Sequence, residues 1–125
     1  MTKTTLMKPN LIVDKSYLFA EQIVYSYKTL IYSKKEYVLS KQMLRAGTSV
    51  GANVSEALYG QSRKDFISKL SNARKEANET KYWIHLLSRT GFLETNEARN
   101  LLENCEELLR ILTSIIQSTQ ENKGT

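Results

Sequence analysis

Apolar residues in this chain recur at spacings of three and four along four successive stretches, and the one Pro, Pro9, lies ahead of all of them. That spacing follows the 3.6-residue turn of a helix, not the two-residue period of a strand. The first stretch, 14–32, carries Ala20, Ile23, Val24, Tyr27, Leu30 and Ile31, with Asp14 and Ser16 as capping candidates. Residues 1–13 read as an N-terminal arm, and Leu6, Met7, Leu11, Ile12 and Val13 predict that it packs on something. The second stretch, 37–58, aligns Leu39, Met43, Ala46, Val50, Val54 and Ala57. Gly47 and Gly51 interrupt it without shifting its phase, which predicts close approach of another helix.

Ser62 and Asp65 form a capping-box arrangement that opens a third helix over 63–89, and Gly91 is placed to stop it. Phe66, Ile67, Leu70, Ala73, Ala77, Ile84 and Leu87 keep one face throughout. A fourth helix over 96–119, capped by Thr95, carries Leu101, Leu102, Cys105, Leu108, Leu109, Leu112, Ile115 and Ile116, and 120–125 read as a frayed tail. Short links between four amphipathic helices predict a single all-α domain over 1–125, an antiparallel up-and-down four-helix bundle.

The side-chain inventory narrows the chemistry. With one Cys and one His in 125 residues, no intrachain disulfide forms and no Cys/His zinc site is completed. Any Ser-His-Asp or Cys-His site would have to use His85, which reads as a surface or interhelical polar group. A di-iron bundle wants Glu-x-x-His pairs, whereas the third residue after Glu79 is Tyr82. The segment GTSVGAN lacks the Lys of a phosphate loop. The expectation is no catalytic residue, no metal and no cofactor. No apolar run approaches the roughly 20 residues of a membrane span, and the first residues lack a secretory signal's apolar centre. The cytoplasm is therefore the expected location, and Cys105, in phase with the fourth apolar stripe, suits a reducing compartment.

Charge is divided along the chain: residues 1–75 carry net +8 and residues 76–125 net −3, within a formal +5. Lys28, Lys34, Lys35, Lys41, Arg63, Lys64, Lys69, Arg74 and Lys75 are candidate phosphate contacts for RNA or DNA. The plainer reading makes them solvated faces, or half of a charge match between copies. On the second helix Gln42, Arg45, Ser49, Asn53 and Glu56 share one narrow polar face beside the apolar one. Antiparallel pairing about Gly60 and Gln61 sets Arg45 level with Glu76 and Gln42 level with Glu79, which predicts an interhelical Arg45–Glu76 ion pair, with Glu79 as the other partner. These seven residues read as a structural polar network.

The segments QMLRAGTSVGANVSEA and SRKDFISKLSNARKEANETKYWIHLLSRTGFL resemble the bacterial four helix bundle protein family, also called the 23S rRNA intervening-sequence protein family. The resemblance runs from Tyr17 to Ile116 and rests on Gln42, Arg45, Ala46, Ser49, Asn53 and Glu56, then Phe66 and the region of Glu76 and Glu79. The family usually has Gly directly after the motif Glu; this chain has Ala57 and delays Gly to Gly60, which predicts a longer second helix. The family in turn resembles the accessory protein of diversity-generating retroelements, a pentameric barrel that binds nucleic acid and associates with a reverse transcriptase. The resemblance thus implies a homo-oligomer of five copies, with RNA, DNA or a nucleic-acid enzyme as partner. Two rivals stand beside it: a scaffold oligomer with no nucleic-acid role, and an enzyme acting through Arg45, Asn53 and Glu56. Joint loss of Lys34, Lys35, Arg63 and Lys64 is expected to weaken binding to every sequence if phosphates are the target.

Overall fold

The structure, a computed structural model, describes residues 7–121. Four helices follow one another: α1 Met7–Tyr32, α2 Leu39–Leu58, α3 Arg63–Arg89 and α4 Thr95–Glu121. Sequential neighbours pack together and α4 closes back on α1, so α1 and α3 stand at opposite corners, as do α2 and α4. The fold is an all-α, up-and-down four-helix bundle.

Helix α1 begins earlier than periodicity predicts. Residues 7–13, read as an arm, are its first two turns. Pro9 falls in the first turn, where the missing N–H has no intrahelical acceptor to lose. Ile12 is buried, so the helical start does pack on the core. Ser16 is no cap: it is buried within the helix, and its Oγ donates to the Val13 carbonyl at 3.1 Å. Residues 1–6 and 122–125 of the expected arm and tail lie outside the described residues, while Gln120 and Glu121 still belong to α4.

The start of α2 is set by Glu36. Its carboxylate accepts from the N–H groups of Val38 at 3.1 Å, Leu39 at 2.9 Å and Ser40 at 2.6 Å. Those donors are the orphans of a helix N-terminus, so the helix starts at Leu39, not at Tyr37. Partial burial alone would raise the Glu36 pKa; the hydrogen bonds from Leu39, Ser40 and Val38 outweigh it and hold the carboxyl below its ordinary value. Ser62 caps α3, its Oγ accepting from the Asp65 N–H at 3.1 Å. Thr95, the expected cap of α4, is instead that helix's first residue. Gly91 takes φ +89°, the left-handed conformation that ends α3.

The core joins Phe19, Ile23 and Leu30 of α1 to Met43, Val50 and Val54 of α2, Leu70, Ile84 and Leu87 of α3, and Leu101, Leu108 and Leu112 of α4. On α1 the buried face includes Ser16 and Ser26, while Ala20, Val24, Tyr27 and Ile31 lie only half inside. Gly47 is where α1 and α2 come together: a Cβ there would lie 2.8 Å from Ile23 Cγ1. At Gly51 the approach is looser: a Cβ there would lie 3.3 Å from the Ser16 carbonyl oxygen.

Candidate functional site

The polar face of α2 forms as the spacing requires, but all its members except Glu56 are engaged along their own helix. Arg45 Nη2 donates to Gln42 Oε1 at 2.9 Å, Ser49 Oγ to the Arg45 carbonyl at 2.7 Å, and Asn53 Nδ2 to the Ser49 carbonyl at 2.9 Å. Glu56 reaches across to α3, with Oε1 3.1 Å from Lys69 Nζ. Gln42, Ser49 and Asn53 are half-buried; Arg45 and Glu56 are exposed.

The expected Arg45–Glu76 ion pair does not form, because the guanidinium turns to Gln42 and the Glu76 carboxylate is left without it. The register behind that expectation holds to the extent that the Arg45 charge still acts on Glu76. Glu76 Oε1 is buried without a hydrogen-bond partner. Burial raises the Glu76 pKa, the neighbouring Glu79 charge raises it further, and Arg45 and Lys75 pull against both without prevailing. Two carboxyl groups three residues apart on one helix face thus share a seam with one guanidinium that points elsewhere.

The nine basic candidates do not converge. Lys34 and Lys35 occupy the α1–α2 link with Lys41 just beyond, while Arg63 and Lys64 begin α3 at the other end of α2. Twenty residues of α2 separate these two groups by about 30 Å. Lys28 lies on α1 with its Nζ 6.0 Å from the Tyr25 ring centroid. Lys69 is committed to Glu56.

Arg74 and Lys75 form the distinctive local arrangement. They line a shallow depression of about 500 Å³ on the outer face of α3 together with Ser71, Asn78, Glu79 and Tyr82. The Tyr82 side chain is exposed and its ring meets Trp83 edge-on, centroids 4.9 Å apart. This face carries two cations, an amide and an exposed aromatic at i, i+1, i+4 and i+8, a spacing present in the sequence. Counting Lys and Arg alone passes over Asn78 and Tyr82. Chemically it offers two phosphate contacts, a hydrogen-bonding amide and a stacking ring, with Glu79 as one opposing charge.

Of the other reactive candidates, Cys105 is buried and Lys81 is paired. Cys105 is buried, with Sγ donating to the Ala77 carbonyl at 3.2 Å; burial, then the Glu106 charge, push its thiol up to about 12 despite Lys81. His85 is exposed near the end of α3. Lys81 Nζ contacts Glu106 Oε2 at 2.8 Å and ties α3 to α4. Among the described residues no group of His, Cys, Asp or Glu is placed to hold a metal ion, and no helix is long and apolar enough to cross a membrane.

Comparison with known proteins gives the chain its relatives. No curated protein matches it. A crystal structure of a protein of unknown function, from the S23 ribosomal protein family of Bacteroides thetaiotaomicron VPI-5482, superposes with a TM-score of 0.87 at 50% identity. That likeness covers 89% of this chain and 99% of the other. The family pattern described as 23S rRNA-intervening sequence protein matches residues 8–114. The chain therefore belongs to the 23S rRNA-intervening sequence protein family.

Proposed function

We propose that this protein is a non-enzymatic bundle that binds RNA or DNA through the outer face of α3. The observation that carries the reading is the alignment of Arg74, Lys75, Asn78 and Tyr82 in one depression. Phosphates take the two cations, and an unstacked base takes the ring, a pattern suited to single strands. The family's description, which refers to 23S rRNA, is consistent with a nucleic-acid setting. A catalytic reading through Arg45, Asn53 and Glu56 is disfavoured, since each is engaged by its own helix or by Lys69. The protein works in the cytoplasm as several copies, of which the five-copy ring implied by the retroelement resemblance is one form, and a nucleic-acid enzyme is a compatible further partner.

The test is fluorescence anisotropy with labelled mixed-sequence RNA and DNA at low salt. Arg74→Glu with Lys75→Glu is expected to weaken binding at least about tenfold, since two phosphate contacts become repulsive. Absence of binding to either polymer at low salt contradicts the reading. That result would favour the scaffold alternative, for which Glu79 within the same depression and the Glu56–Lys69 pair speak.

A further inference from the structure

The depression on α3 holds one group that phosphate binding does not use. Glu79 lines it beside Arg74, Lys75, Asn78 and Tyr82, and a carboxylate there repels a nucleic-acid backbone. Nor does Glu79 balance a local cation: among the described residues, no lysine or arginine forms an ion pair with it. Its charge bears instead on Glu76, three residues back, which is a repulsion. The half-buried carboxylate therefore keeps acceptor capacity for donors from outside the chain.

Asn78 supplies the complementary half. Its Nδ2 donates to the Arg74 carbonyl at 3.3 Å, which leaves one N–H for a further acceptor. Tyr82 stands one turn on, four residues from Asn78 and three from Glu79, so the three side chains are neighbours on the helix surface. The ring is 60% exposed, and Trp83 meets it at 80° with centroids 4.9 Å apart, which limits its swing. Side chains on a helix lean over the preceding turn, so a base stacked on Tyr82 brings its edge over Asn78 and Glu79.

Those two residues offer one donor followed by an acceptor-only carboxylate. The Watson–Crick edge of guanine is the reverse: O6 accepts, while N1–H and N2–H donate side by side. Adenine and cytosine turn a ring acceptor toward the carboxylate, and uracil and thymine have a single N–H flanked by two carbonyls. We propose that the α3 face reads guanine in single strands, with Glu79 accepting from N1–H and N2–H and the Asn78 amide donating to O6. Arg74 and Lys75, one turn nearer the start of the helix, hold the adjoining phosphates. Guanine reading rests on the nucleic-acid function proposed for this face and names its base.

Fluorescence anisotropy at low salt compares a short labelled oligouridine with the same strand carrying one central guanosine, and with inosine at that place. A lone guanine avoids the self-assembly of guanine runs. It is expected to raise affinity about tenfold, and inosine, which keeps O6 and N1–H but lacks N2–H, about threefold. An oligothymidine series should show the same order for DNA, since the edge that is read is common to both sugars. Glu79→Gln is expected to bring strands with and without guanine to within about twofold of each other. Its affinity for plain oligouridine should be equal or higher, because a charge that repels phosphate is gone. Circular dichroism checks that the variant folds, and the inosine comparison uses the wild-type chain alone. Equal binding with and without guanine, inosine bound as well as guanine, or a preference that survives Glu79→Gln would each overturn the inference. Binding that still falls with Arg74→Glu and Lys75→Glu would then leave the nucleic-acid reading of α3 standing, whereas no binding to any strand removes both.

Discussion

At the scale of single residues, Glu76 and Glu36 show opposite fates for the same carboxylate. Glu36 meets the free N–H groups of α2 and is held in its charged form. Glu76 lies on the α2–α3 seam with Oε1 buried and unpartnered, and its pKa is raised, so folding favours its proton. A folded-state pKa above the unfolded one means that, above the ordinary carboxylate value, the native chain keeps a proton that the unfolded chain has released. Stability contributed by protonated Glu76 is therefore full below about 4.5 and is lost as pH rises from there through the raised folded value. Replacing Glu76 with Gln removes that loss. Glu76→Gln is expected to raise stability at pH 7 by about 1 kcal/mol, roughly 4 °C in Tm, and to make no gain at pH 4. Thermal melts at the two pH values check it; equal shifts at both would contradict the titration account.

At the scale of the element, α1 and α2 show how closely a helix pair can be specified by one missing methyl group. Gly47 is weak as a helix former, and Ala would ordinarily gain about 1 kcal/mol there. The new Cβ would instead lie 2.8 Å from Ile23 Cγ1 and 2.9 Å from Cγ2, atoms fixed on a branched carbon that cannot swing away. The clash outweighs the propensity: Gly47→Ala is expected to destabilise by about 1–3 kcal/mol, measured by urea denaturation, and Ile23→Ala should relieve part of that loss in the double variant. This approach was legible in the sequence, because the apolar phase of α2 runs unbroken through both glycines. The face of α1 was less legible. Ser16 and Ser26 occupy core positions that hydrophobicity assigns to the surface. Ser26 is accommodated by donating to Glu97 Oε2 of α4 at 2.6 Å, a partner 71 residues away that no local pattern reveals. The polar face of α2 was legible as a face. Its pairing was not, since the spacing offers Arg45 both Gln42 on its own helix and Glu76 level with it across the seam.

At the scale of the whole molecule, α1 and α3 stand at opposite corners of the bundle. The α3 corner carries Arg74, Lys75 and Tyr82, and the diagonal α1 corner carries the exposed Tyr17, Tyr25 and Tyr32. Lysine clusters at the two ends of the bundle, at Lys34–Lys35 and Arg63–Lys64, lie too far apart to serve one short strand together. The most direct test of the α3 assignment is therefore the salt dependence of binding to a short single-stranded RNA, in wild type and in two paired variants. Arg74→Ala with Lys75→Ala is expected to reduce the slope of log affinity against log salt by about 1.4, the loss of two phosphate contacts at roughly 0.7 each, whereas Lys34→Ala with Lys35→Ala leaves the slope nearly unchanged. A slope unaffected by the α3 pair, or lowered equally by both, would contradict the account.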